Sequence, residues 1–83
     1  MQYVFSSHAE ERIVRRKIRR EWVLAIAERP EAAERDETDA QLEHRLGRVV
    51  QAGNRVLRVI VNDLAEPERI VTAYFDRKMR NKL

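Results

Sequence analysis

One segment narrows the fold more than any other. From Arg55 to Asn62 the chain reads RVLRVIVN, in which Val56, Leu57, Val59, Ile60 and Val61 place apolar side chains on both faces of an extended chain. Such a strand is stable only where both faces are covered, so the segment predicts the middle of a sheet. Arg58 is the exception inside it, a charge that has either to reach an edge or to point into a cleft. Just before it, Gly53-Asn54 tolerates the positive φ angles of a tight hairpin turn. A two-residue turn pairs Val49 with Arg58 and a three-residue turn pairs Arg48 with Arg58, and the choice changes the face that Arg48 occupies.

The rest of the chain supplies partners for that strand. Tyr3 to Phe5 is a short β-prone stretch. Ser7 and Glu10 have the spacing of a capping box, which opens a first helix running to about Arg16. In a second helix, roughly Arg20 to Arg29, the residues Ile18, Trp22, Val23 and Ile26 mark the buried stripe, and Pro30 ends it. Ala32 to Thr38 reads as a polar strand and Leu42 to Ala52 as a longer one. After a turn at Ala65-Glu66-Pro67, Arg69 to Asp76 forms the last strand, with Val71, Ala73 and Phe75 on one face and Ile70, Thr72 and Tyr74 on the other. The order is β-α-α-β-β-β-β. This is an α+β fold, two N-terminal helices packed on a mostly antiparallel sheet of four to five strands.

With 83 residues the chain is expected to be a single domain, 1–83, with a basic tail from about residue 77. It holds no cysteine, which excludes a disulfide framework and a thiolate metal site and fits a reducing cytoplasm. No apolar run approaches the roughly 20 residues that cross a bilayer, so no membrane partner is expected. The informative feature of the charge is its segregation. Six of the nine residues from Arg12 to Arg20 are basic, four more lie between Arg77 and Lys82, and seven acids fall between Glu28 and Glu43. Fourteen of the seventeen cations are Arg, whose planar fork grips phosphate.

His8, Arg12 and Arg16 are spaced by four, so a helix stacks them along one face, and three cations in a row repel unless an anion lies across them. In the first turn, beside the positive end of the helix, a neutral imidazole can serve as a general base. The alternative is a histidine bonded to backbone and arginines that solvate the surface. His8 and His44 are the only histidines and no carboxylate pattern accompanies them, so neither a metal site nor a cofactor is expected. Thr72 and Tyr74 share a strand face next to Asp76, where a phenol can donate to a phosphate or move a proton.

The ordered segments from His8 through Arg12 and Arg16 to Ile18, the helix ending at Pro30, Val56 to Val61, and Ile70 to Tyr74 resemble a bacterial domain-of-unknown-function family. That family is grouped with RelE-like and BrnT-like toxins and, more loosely, with the barnase and colicin type of metal-independent ribonuclease. The resemblance covers nearly the whole chain. It implies a RelE-like sheet and a catalytic set of His8, Arg12, Arg58, Thr72 and Tyr74. It also implies an RNA-binding surface that includes Arg15, Arg16, Lys17, Arg19 and Arg48. The family pattern often has Gly where this chain has Lys17, and a Ser-like cap where it has Arg19, which implies a differently built turn between the helices.

Two functions follow as expectations. The first is a cytoplasmic endoribonuclease of a toxin-antitoxin type system, acting without a metal on RNA, free or on the ribosome, and regulated by an antitoxin protein. The second is a non-catalytic module of the same fold that binds nucleic acid or protein, with the charged segment Ala32 to Thr38 as an edge to which a partner strand adds.

Overall fold

A computed structural model describes residues 2–83. The chain runs β1 (Tyr3–Phe5), α1 (Ser7–Arg15), α2 (Arg20–Glu28), β2 (Ala32–Arg35), β3 (Leu42–Val49), β4 (Arg55–Asn62) and β5 (Glu68–Phe75), with short 3-10 turns at Val50–Ala52 and Arg77–Met79. The five strands form one sheet in the order β1-β5-β4-β3-β2, parallel between β1 and β5 and antiparallel elsewhere. The α+β expectation holds, and the doubly apolar β4 lies at the centre.

Both helices lie on the same side of the sheet. Ala9 and Ile13 from α1, Ile18 from the inter-helix turn, and Val23, Ile26 and Ala27 from α2 meet Leu57, Val59 and Val61 of β4 and Ile70 and Ala73 of β5 in one buried cluster. Each large aliphatic side chain buried there contributes roughly 1.5–3 kcal/mol. Helix α2 sits so close to β3 that a Cβ on Gly47 would lie 3.1 Å from Ile26 Cγ1. Trp22 closes the end of the core edge-on against Phe75, with 6.4 Å between ring centroids.

Several local expectations are corrected. The cap of α1 is Ser6 rather than Ser7: its Oγ accepts from the Ala9 N–H at 3.0 Å and donates to the Val71 carbonyl at 3.2 Å. Ser6 therefore ties the helix start to the sheet edge, which a capping box read locally misses. The end of α1 is a Schellman turn, with Lys17 N–H on Val14 O, Ile18 N–H on Ile13 O, and Lys17 at φ 57°. The chain thus builds the turn that glycine usually serves with a lysine in the left-handed region.

The hairpin register matches neither alternative. Gly53 and Asn54 do take positive φ, 71° and 61°, but they close a longer loop that begins with the 3-10 turn, so Val49 pairs with Arg55 and Leu46 with Arg58. Strand β3 consequently ends at Val49 instead of Ala52. On β5 the simple alternation fails because Ile60 faces Thr72 while Val61 faces Ile70, leaving Val71 as an extra residue in a bulge. Ile70 is thereby turned into the helix-side core with Ala73, and only Thr72 and Tyr74 remain on the other face.

Candidate active site

Residues directly opposite in a ladder share a face of the sheet. The register therefore places Glu34 of β2, His44 and Leu46 of β3, Arg58 and Ile60 of β4, and Thr72 and Tyr74 of β5 on the side that carries neither helix. At its centre is Arg58, whose side chain is only 11% exposed. Nε and Nη2 donate to Asp76 Oδ2 at 2.9 and 2.8 Å, and Nη1 reaches Glu34 Oε1 at 3.1 Å and His44 Nδ1 at 2.8 Å. The apolar strand tolerates this charge because each of the three guanidinium nitrogens has an acceptor.

The same geometry sets the histidine. An arginine can only donate, so His44 Nδ1 accepts from Arg58, and the ring proton sits on Nε2, which faces Asp36 Oδ1 at 2.6 Å. Asp36 is further held by the backbone N–H groups of Thr38 and Asp39. The hydrogen bond from His44, followed by those from Asp39 and Thr38, keeps its carboxyl well below the usual aspartate range. Asp76 is pushed up by burial, but the hydrogen bonds from Arg58 and from the Lys78 N–H outweigh that and leave it below its ordinary value. Burial pulls Arg58 down, and its bonds to Asp76 and Glu34 more than restore it. A cleft of about 400 Å³ opens over Glu34, Arg35, Asp36, His44 and Arg58.

Among the residues anticipated from sequence, the structure brings Arg58, Tyr74, Thr72 and Arg16 together. Tyr74 lies directly across from Arg58, and Thr72 lies on the same face across from Ile60. Arg16 reaches over the edge of β5: its Nη1 donates to the Ala73 carbonyl at 2.8 Å and its guanidinium stands 5.8 Å from the Tyr74 ring centroid. Arg12 is half-buried on the same helix, and its Nε is enclosed without a hydrogen-bond partner.

The remaining residues stay apart from this group. His8 is exposed and takes part in no hydrogen bond or ion pair among the described residues. Arg15 pairs loosely with Glu11 at 3.7 Å, Lys17 projects from the turn, and Arg19 stands 5.9 Å from the Trp22 ring. Arg48 is bound to Glu31, with Nη2 to Oε1 at 2.8 Å.

Sequence reasoning passed over His44, Asp36 and Glu34 as site members. The available signal was parity: His44 interrupts the apolar pair Leu42 and Leu46 on one strand face just as Arg58 interrupts Val56 and Ile60. That signal becomes a site only once the register is known. No three His, Cys, Asp or Glu side chains among the described residues are grouped to hold a metal ion, and no described helix is long and apolar enough to cross a membrane.

Residues 5–75 match a family model described as a domain of unknown function, DUF4258. No curated protein and no solved structure matches the chain.

Proposed function

The chain belongs to the DUF4258 family, and from the side chains gathered around Arg58 we propose that it is a toxin-like ribonuclease acting on RNA in the cytoplasm without a metal ion. The observation that carries this reading is the run Asp36, His44, Arg58, Tyr74 on the helix-free face, with Arg16 brought over Tyr74. A base oriented by a carboxylate, a cation and a phenol can supply the general base, the charge stabilisation and the general acid that cleavage of a ribose phosphodiester uses.

In the proposed reaction a substrate phosphate draws Arg58 Nη1 away from His44 and Glu34. Glu34 yields easily because it is 62% exposed. His44 Nδ1, released and oriented by Asp36, takes the proton of the ribose 2′-hydroxyl as that oxygen attacks phosphorus. The bond from phosphorus to the 5′-oxygen breaks, the leaving oxygen takes the proton of the Tyr74 hydroxyl, and Arg58 stabilises the charge on the phosphoryl oxygens. The products are a 2′,3′-cyclic phosphate and a 5′-hydroxyl, and transfer of a proton from His44 back to Tyr74 through solvent resets the site. Arg12 and Arg16 attract the flanking strand. An antitoxin-like partner adding to the exposed edge of β2 would restrain the activity by covering Glu34.

The test is purified protein with mixed-sequence RNA in EDTA. Cleavage leaving cyclic phosphate ends, reduced about 10²- to 10⁴-fold in His44→Ala, is the expected result, along with growth arrest on induction of the parent and none with His44→Ala. Intact RNA, or equal cleavage by His44→Ala, overturns the reading. One observation favours a second reading, a non-catalytic RNA-binding module: Arg58 already has two carboxylate partners. RNA retention that weakens with salt, with no product formed, would identify it.

A further inference from the structure

Beyond the cluster, the C-terminal turn builds a second cationic surface that the proposed chemistry does not use. Arg55, Val56, Phe75, Asp76, Arg77 and Arg80 line a cleft of about 480 Å³. Its one carboxylate, Asp76, is already spoken for, with Oδ2 bound by Arg58 and Oδ1 accepting the Lys78 N–H at 3.0 Å. Arg77 and Arg80 are exposed and form no ion pair with any described residue. Arg55 stands over Phe75, its guanidinium carbon 4.0 Å from the ring centroid, anchored by donation from Nε to the Ala52 carbonyl at 3.0 Å. The cleft therefore offers two free guanidinium forks beside a stacked aromatic and guanidinium platform, and it shares Asp76 with the Arg58 cluster.

We propose that this cleft is a phosphate-binding subsite for the backbone of single-stranded RNA running off the Arg58 cluster. Arg77 and Arg80 each grip one phosphate, and the Phe75 and Arg55 platform receives the adjoining base. A guanidinium fork matches the bidentate geometry of phosphate, and the exposed Arg55 guanidinium backed by the Phe75 ring suits a base in any sequence. An acidic peptide would satisfy the forks and leave the platform without a stacking partner, which is why RNA is the occupant the surface favours. The inference rests on RNA being the ligand, and it does not require that the RNA be cut.

The experiment measures binding of a 2′-O-methyl oligonucleotide, which has no free 2′-hydroxyl to attack, so affinity is read independently of cleavage. The parent is compared with Arg77→Gln/Arg80→Gln over a range of salt. Loss of two phosphate contacts should weaken binding about tenfold or more and flatten the slope of log affinity against log salt by roughly 1.4. Phe75 packs against the core, so the platform is probed by Arg55→Gln, expected to weaken binding severalfold while the salt slope falls by less than one contact. An unchanged affinity and slope in the Arg77/Arg80 variant overturns the subsite, as does tight binding of polyglutamate with none of the oligonucleotide. If the oligonucleotide binds as stated while ordinary RNA stays intact, the cleavage reading fails and the subsite stands.

Discussion

His44 and Arg58 lie on neighbouring strands, and the 2.8 Å contact from Arg58 Nη1 to His44 Nδ1 sets the histidine tautomer and holds the arginine inside an apolar strand. Each side chain is mostly buried and each depends on the other's hydrogen-bonding capacity. Removing Arg58 should therefore be expensive in two ways. Arg58→Met strips Asp76 and Glu34 of their cation and should cost roughly 3 kcal/mol in urea unfolding, the scale for breaking a mostly buried pair from one side. Arg58→Met with Asp76→Asn, which keeps an acceptor for the Lys78 N–H, should recover part of that loss. A double variant no more stable than the single one would show that the carboxylate is not what Arg58 neutralises.

Acid should act on the same cluster through Asp36. Its carboxyl is held below the usual range, chiefly by the bond from His44. A depressed folded value means that the stabilisation is fully present above the unfolded value, about 3.9, and is lost as the pH falls from there toward the folded value. Unfolding midpoints of the parent should thus fall steeply below about pH 4, with Glu31, Asp63 and Asp76, also lowered, adding to the slope. Asp36→Asn should be less stable than the parent at neutral pH and lose less on acidification. Parallel curves for the two proteins would contradict this.

Helix α1 offers a test that separates two adjacent serines. Ser6→Ala removes an acceptor for the Ala9 N–H and a donor to the Val71 carbonyl, and should cost about 1 kcal/mol, a fall in Tm of roughly 4–8 °C. Ser7→Ala, one residue inside the helix, should change Tm little. The reverse order would restore the capping box read from the sequence.

At the other end of α1, Lys17 adopts φ 57°. Lys17→Gly should raise stability by about 1 kcal/mol, since glycine enters the left-handed region without a Cβ clash. Because Lys17 also belongs to the cationic strip, RNA affinity measured alongside would fall modestly if that strip binds phosphate. Gly47→Ala should go the opposite way, losing about 1–3 kcal/mol as its methyl presses on Ile26.

Some of the site was legible in advance. Arg58 stood out because a charge inside a doubly apolar strand needs a reason, and Tyr74 and Thr72 because they share one face of a short alternating strand. The row of His8, Arg12 and Arg16 was equally visible, yet only Arg16 reaches across the edge of β5 to Tyr74. Position along a helix records which residues share a face, but not what that face looks onto.

Periodicity and punctuation belong to the chain itself, and they determined the element types, their order, the central place of β4 and the helix stop at Pro30, because these depend on interactions within a few residues. Tertiary structure alone decided what depends on register. The five-residue loop through Gly53-Asn54 set Leu46 opposite Arg58, and the bulge at Val71 turned Ile70 into the core. A side-chain period of two makes every such offset decisive for which groups meet. Glu34, His44 and Asp76 are spread from residue 34 to residue 76, and only pairing across four strands brings them to one guanidinium, with Asp36 held behind His44.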